Sequence, residues 1–592
     1  MNKDMKIFLR VYTRRIWGLE YPAALAHSVH MAVSTDAKQY QRLNQNYGIL
    51  FPEAEISADN LIIEKGVRCP CIYEITGGRF AILGVRVQAD GSMEESVEEN
   101  WLYWETADLI HFSQALYLTG KAAAERLGIS GEKLSEKYLA CRACLERPDQ
   151  NLLPLPADTE ASRRDPEEGR DLTMLDGNEI EISEEMAQGL LAAWLPIHQT
   201  AISVPQTVRI DSPEAMKRVY VRAGYSDGSE HRKPVDWDTT MLDFSRKGKQ
   251  KINGKVCQPT YPFPLAIGYA DPEIFYEGGK VYFIATNDNT DAVGLFIREA
   301  DTIEALFSES VREYCILEKN AEKQLVQTFW APELHRIGGE IYILFAVGGS
   351  VWGPQSHMMH LKKGGSLICA SDWEAPIRVC RENGSFLIED GITLDMTYLE
   401  QGGKSYLVWS QRWCLFGDKD SGSMLYLAPV SSKKPWQLTG EPVLLSRSLY
   451  GWENQAGTIN NEGPYALYTK ERTYIAYSGG SAGGYSYVAG FLSLPVSGDP
   501  MDPGQWEKSI TADLSAYSVT GEYGPGHNTF FQDDRGDTYI VYHAQYERGR
   551  GIRCTGIRRV HFNVQGKPVL NLSRERDLDP QLADVSMEVE IC

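Results

Sequence analysis

Four side chains able to move a proton or hold a cation stand at the head of similar short motifs. They are Asp271 in Tyr269-Ala-Asp271-Pro, Asp395 in Leu394-Asp395-Met-Thr, Glu462 in Asn461-Glu462-Gly-Pro and His527 in Gly524-Pro-Gly-His527-Asn. Carboxyls gathered in a partly dry site repel one another, which pushes one pKa up and leaves another group ionised, so that a general acid stands beside a general base. Such a pair suits hydrolysis of a glycosidic bond, and an inverting reaction places the two groups roughly 6.5–9.5 Å apart to admit a water. Taken singly, each residue has a plainer use. Asp271 before proline serves as a turn residue, Glu462-Gly-Pro as the turn leading into a strand, Asp395 as a buried hydrogen-bonded acid, and His527 as a loop histidine. Only a shared position in a repeated unit would bring them together.

That repeat is present. Segments led by Asp271, Ala331, Asp395, Glu462 and His527 each give a strand-sized apolar run, a polar or glycine turn, and an alternating aromatic and β-branched strand. The leading residues are 60 to 67 apart, enough for a four-stranded sheet with its loops, the unit of a propeller blade. Five units predict a five-bladed β-propeller. Its innermost strands line a central channel, so residues at equal repeat positions converge there. Burying four such groups unpaired would be costly, which argues against a purely accidental phase.

The rest of the chain reads differently. Residues 1–195 form a β-rich accessory region with a helical segment between 115 and 150. Within it Cys69-Pro-Cys71 heads a hairpin resembling one blade, with Cys69 near the acidic slot as a non-catalytic copy. Pro154 to Asp176, charged and proline-containing, reads as a linker. Residues 196–258, short alternating strands with Asp-Gly turns, predict a small immunoglobulin-like β-sandwich, and 259–580 the propeller. The fold class is therefore all-β: a five-bladed β-propeller catalytic domain preceded by β-sandwich-like accessory domains with a short helical segment. The 592 residues carry a net charge of −21, which repels nucleic acid and anionic membrane surfaces, and no apolar run approaches membrane-spanning length. Eleven scattered cysteines are not a disulfide framework, and Cys141-Arg-Ala-Cys144 lacks the companion pair of a zinc site. The N-terminal residues lack the apolar core of roughly 7–15 residues that a secretory signal needs, which predicts a cytoplasmic protein.

With Trp330-Ala-Pro-Glu333-Leu-His added to the four motifs above, residues 262–575 resemble glycoside hydrolase family 43. The resemblance implies an inverting five-bladed propeller in which Asp271 is the general base, Glu462 the general acid and Asp395 the modulator of the acid's pKa. It further implies that Trp330 stacks on a sugar ring and that Arg553 binds substrate, although Gly556 departs from the pattern after Arg553. His527 would lie at the channel centre, where a structural calcium or other cation could be held; the chemistry itself requires no cofactor. The expected activity is exo-release of terminal α-L-arabinofuranose from plant polysaccharide-derived oligosaccharides. β-Xylosidase and β-D-galactofuranosidase are the alternatives, and a non-catalytic carbohydrate-binding propeller stands behind them. The expected partner is an oligosaccharide substrate, with no nucleic acid and no membrane; the oligomeric state is not fixed by the sequence.

Overall fold

A computed structural model describes residues 6–16, 21–95, 98–146, 174–415, 417–455, 459–570 and 578–592. The five repeats each become an antiparallel sheet, four-stranded in four of them and five-stranded in the third, where Val443–Ser446 also pairs with Met424–Ser431. The innermost strands are Tyr269–Glu277, Gln327–Ile337, Ile392–Gln401, Asn461–Tyr468 and Tyr523–Gln532, and each pairs with the strand that follows it. In three blades the hairpin between the first two strands is a pair of glycines, Gly278-Gly279, Gly338-Gly339 and Gly402-Gly403, all at positive φ. Two-residue hairpins need that conformation at both positions to match the strand twist.

The ring is closed. Each innermost strand touches the next around the circle, including Tyr523–Gln532 against Tyr269–Glu277. A separate buried apolar cluster fills each of the five gaps between neighbouring blades. The outer strand of the fifth blade comes from the far end of the domain: Ala266–Ile267 pairs with Cys554–Arg559. This exchange ties the two ends of the propeller together and was not visible in the repeat.

The innermost strands also share a bulge. Pairing slips at Ala270/Glu273, Trp330/Glu333, Leu394/Thr397, Glu462/Tyr465 and Gly526/Thr529. The residue inside each slip has a left-handed backbone: Asp271, Ala331, Asp395, Gly463 and His527. The expectation that Glu462 occupies the same position as Asp271 and Asp395 is therefore off by one, since Gly463 holds it. A Cβ at Gly463 would come within 3.0 Å of the His527 ring. The slot must stay empty there, and the acid is carried by the residue before it.

The N-terminal region repeats the device. Lys65–Ile75, Arg79–Gln88, Asn100–Thr106 and Leu116–Thr119 form a four-stranded meander. Its pairing slips at Arg68/Cys71, and Cys69 is left-handed. The helical segment is two helices, Gly120–Leu127 and Gly131–Leu145, capped by the Thr119 and Ser130 side chains and separated by left-handed Gly128. They cover one face of the meander. The other face packs on the sheet of Ile7–Arg14, His30–Ser34, Gln41–Arg42 and Met174–Ile182 and on the helix Glu184–Trp194. The expected linker lies outside the described residues up to 173, but its last residues form a strand. Asp176 in that strand accepts the Cys69 amide at 2.7 Å and pairs with Arg68 at 3.2 Å.

Between the two regions, a sheet of Gln199–Ser203, Val221–Tyr225 and Glu230–Lys233 faces one of Thr207–Ile210, Asp584–Ile591, Gly248–Val256 and Val235–Trp237 across a common core. Its central strand, Asp584–Ile591, is the C-terminus of the chain returning past the propeller, so the small sandwich is not built from residues 196–258 alone. No helix among the described residues is long and apolar enough to cross a membrane.

Candidate active site

Asp271, Asp395, Glu462 and His527 meet at one mouth of the channel, each less than a tenth exposed. Asp271 is the most heavily partnered. Its Oδ1 lies 3.1 Å from His527 Nδ1 and 3.3 Å from an Arg553 guanidinium nitrogen, and Oδ2 accepts the Thr286 hydroxyl at 2.6 Å. Burial alone would raise this carboxyl, but the charges of His527 and Arg553 and the contact with His543 outweigh it and hold Asp271 well below the usual carboxylate range. Burial pushes the His527 imidazole down to about 4, so near neutral pH the standing positive charge beside Asp271 is Arg553. That guanidinium is fixed by Asp288, whose two oxygens it reaches at 2.7 and 2.9 Å.

Glu462 and Asp395 behave oppositely. Burial pushes Glu462 up to about 7; a hydrogen bond from Tyr487 OH at 2.9 Å and the charges of Arg412 and Arg553 pull it down, while Asp271 raises it. Asp395 is raised well above the ordinary range by burial, then by Glu462 and Asp271, even though it accepts the Gly463 amide at 3.1 Å. One mouth thus holds an ionised carboxylate and a proton-bearing carboxyl pair, the division of labour that acid–base catalysis uses.

Trp330 sits at the same end of the second innermost strand, half-buried and packed on the cluster of Ala346, Ile392 and Leu394. Arg553 is in the site, but its ion pairs are with Asp271 and Asp288. His527 turns Nδ1 to Asp271, and among the described residues no group of three or more His, Cys, Asp or Glu side chains is placed to hold a metal ion.

Several groups escaped the sequence reading. Thr286, Ser410, Ser478 and His543 stand near the ends of second strands, opposite Ala270, Leu394, Glu462 and Gly526. Each bonds to the backbone of the next blade's innermost strand. Thr286 accepts the Ala331 amide at 2.8 Å and Ser478 the His527 amide at 2.7 Å, while Ser410 donates to the Asn461 carbonyl at 3.1 Å. His543 closes the circle. Its Nε2 faces the Ala482 carbonyl at 3.2 Å, which leaves Nδ1 to accept the Asp271 amide at 3.2 Å. The signal was available as a second polar position in the repeat, carried near the end of four of the five hairpins; the second has Ala346 there. Tyr487 had none, since it precedes a third strand.

One step down the channel, Glu273 and Glu333 are buried carboxyls. Burial pushes Glu273 up to about 8 and Glu333 well above its ordinary value, and His335 Nε2 lies 2.6 Å from Glu333. The floor of the site is therefore close to neutral.

Comparison with known proteins identifies the family of the propeller. The profile of Glycosyl hydrolases family 43 matches residues 262–568, the whole propeller, and the chain belongs to that family. It is 30% identical over 320 residues to an extracellular exo-alpha-(1->5)-L-arabinofuranosidase of Streptomyces avermitilis, covering 52% of this chain and 63% of the relative. A second protein of that name, from Streptomyces chartreusis, is 33% identical over 290 residues, covering 48% of this chain and 82% of the relative. Among solved structures, the alpha-L-arabinofuranosidase of Lactobacillus brevis is 26% identical with a TM-score of 0.46, over 52% of this chain and 96% of that one. The cytoplasmic placement expected from the N-terminal residues is overturned by the two Streptomyces relatives, which are named as extracellular. A missing apolar run at the start of a sequence was not sufficient ground for it.

Proposed function

We propose that the propeller is an inverting exo-glycosidase that releases terminal α-L-arabinofuranose from oligosaccharides derived from plant polysaccharide. The observation that carries this is the opposite displacement of two carboxyls at one channel mouth, Asp271 well below the ordinary range and Glu462 up to about 7. Asp271, ionised, takes a proton from water as that water attacks the anomeric carbon. Glu462, protonated, delivers its proton to the departing glycosidic oxygen. Asp395 keeps the proton on the acid side of the site and fixes the Gly463 backbone beside it. Trp330 offers a ring for the sugar face, and Arg553 keeps Asp271 ionised and within reach of substrate hydroxyls. A cation at the channel centre would use His527 Nε2, the ring nitrogen not turned to Asp271.

The sugar rests on the names of the relatives. A partial match to a protein named beta-D-galactofuranosidase from Aspergillus niger, 29% identical over 155 residues, keeps that alternative in the test together with β-xylosidase. A panel of 4-nitrophenyl α-L-arabinofuranoside, β-D-xylopyranoside and β-D-galactofuranoside decides among them, and NMR of the first-formed anomer tests inversion. The arabinofuranoside is expected to be cleaved fastest, with inverted product. Retention of configuration would reject the roles given to Asp271 and Glu462.

A further inference from the structure

The segment between the third and fourth blades carries a wholly buried carboxylate, Glu453. Its Oε1 accepts from Asn461 Nδ2 at 2.8 Å and Tyr477 OH at 2.9 Å and lies 2.7 Å from Lys508 Nζ; Oε2 accepts the Tyr450 amide at 2.9 Å. Taking this carboxylate wholly out of water, beside a lysine that keeps some exposure, is expensive, and apolar side chains of similar volume commonly stabilise a fold as well or better. A group so completely partnered serves to fix geometry, and what it fixes is the residue next to Glu462. Asn461, also wholly buried, is held on every side: its carbonyl accepts Ser410 Oγ at 3.1 Å, its Oδ1 accepts Ser446 Oγ at 2.7 Å, and its Nδ2 donates to Glu453.

Glu453 is in turn held from outside the propeller. Arg447 donates to the Asn60 side chain and carbonyl at 2.8 and 3.0 Å, Ala54 N donates to the Leu449 carbonyl at 2.8 Å, Tyr450 OH donates to Glu53 at 3.1 Å, and Gln455 donates to Tyr47 OH at 3.1 Å. Trp452, wholly buried, packs in one cluster with Tyr21, Leu25, Tyr47 and Phe51. Residues 21–60 therefore grip 447–455 from both sides of Glu453.

We infer that Glu453 is a positioning residue for the proton donor Glu462, and that residues 21–60 of the N-terminal region are part of the active site because they hold Glu453 in place. This rests on Glu462 being the general acid. Positioning an acid matters in proportion to how badly the leaving group needs a proton, since displacing a catalytic group by about 1 Å can cost on the order of 100-fold. A leaving group that departs as a stable anion is indifferent to it.

The test measures kcat on an arabinofuranosyl disaccharide and on 4-nitrophenyl and 2,4-dinitrophenyl arabinofuranosides, or on the same series of whichever sugar the panel selects. For Glu453→Gln and Asn461→Ala we expect the disaccharide rate to fall by about 30-fold or more while the dinitrophenyl rate stays within about threefold, a pattern that loss of folded protein does not produce. Should Glu453→Gln be insoluble, Tyr477→Phe, which removes one hydrogen bond to the same carboxylate, gives the same trend at smaller amplitude. Equal losses on all three substrates, or none, overturn the positioning role. Arg447→Ala cuts the tie to Asn60 and is expected to lower the disaccharide rate severalfold; unchanged rates would overturn the part assigned to residues 21–60. Glu462→Gln, run alongside, separates the two readings. If it shows no dependence on the leaving group, Glu462 is not the acid and the role of Glu453 falls with it.

Discussion

The first propeller blade and the N-terminal meander begin alike. Ala270-Asp271-Pro272-Glu273 and Arg68-Cys69-Pro70-Cys71 each slip by the same bulge, with the second residue left-handed, and each presents that residue's amide to a polar group elsewhere in the chain. In the propeller the partner is His543, and the side chain at the bulge is a carboxylate facing four like positions across a channel. In the meander the partner is Asp176, and the side chain is a thiol packed against Cys141, Tyr138 and Leu134 under two helices. A left-handed non-glycine residue costs about 1–3 kcal/mol, and both regions bear that cost. The strain alone does not mark a catalytic site. What differs is convergence: five blades aim their bulges at one axis, whereas the lone meander aims its bulge at its own core.

Substitutions at the paired positions test that contrast. The largest effect is expected from Asp271→Asn, which retains a side chain tolerant of the left-handed backbone but removes the base. Activity should fall by about 10³-fold or more with a melting temperature near wild type, and a rate within tenfold of wild type would remove Asp271 from the mechanism. Glu462→Gln should cost about 10²- to 10⁴-fold on substrates with poor leaving groups. In the wild-type protein kcat/KM should decline as pH rises through about 7, because Glu462 donates only while protonated and its carboxyl is pushed up to about 7. On the acid side the rate should persist below the usual carboxylate range, since Asp271 is held well under it.

Arg553→Ala removes the charge that keeps Asp271 ionised. The acid limb of the profile should move to higher pH by about 1–3 units; an unmoved limb would mean that His527 supplies the charge instead. Tyr487→Phe deletes a hydrogen bond that lowers the Glu462 pKa, so the alkaline limb should shift upward with only a severalfold change in rate. At the matching position of the meander, Cys69→Ser should leave kcat unchanged and alter only thermal stability, by about 1 kcal/mol. A large loss of activity there would break the contrast between the two regions.

The fold was legible because a propeller is periodic. Repeated alternating hairpins, three of them with Gly-Gly turns, require the same kind of sheet five times, and apolar faces between sheets can be buried only by closing the ring. For the same reason Asp271, Asp395 and His527 could be placed together without coordinates. The phase failed at Glu462, since the bulge inserts a residue and only the crowding of Gly463 against His527 shows which side of it the acid occupies. The domain limits were less legible. The strand Asp584–Ile591 carries no mark of its partners, which lie more than 300 residues earlier.

By itself, then, the sequence determined the repeat, the number of blades and the acids they carry, because those follow from local periodicity and residue type. Tertiary structure alone decided which carboxyl is ionised and which is protonated. That depends on His527, Arg553 and His543 reaching Asp271 across the closed ring, and on Tyr487 reaching Glu462 from the loop just before the third strand of its own blade. It also decided that residues near the N-terminus hold the segment leading to Glu462. Charge and burial act through space, and no spacing along the chain encodes the distance between Glu453 and the residues that grip it.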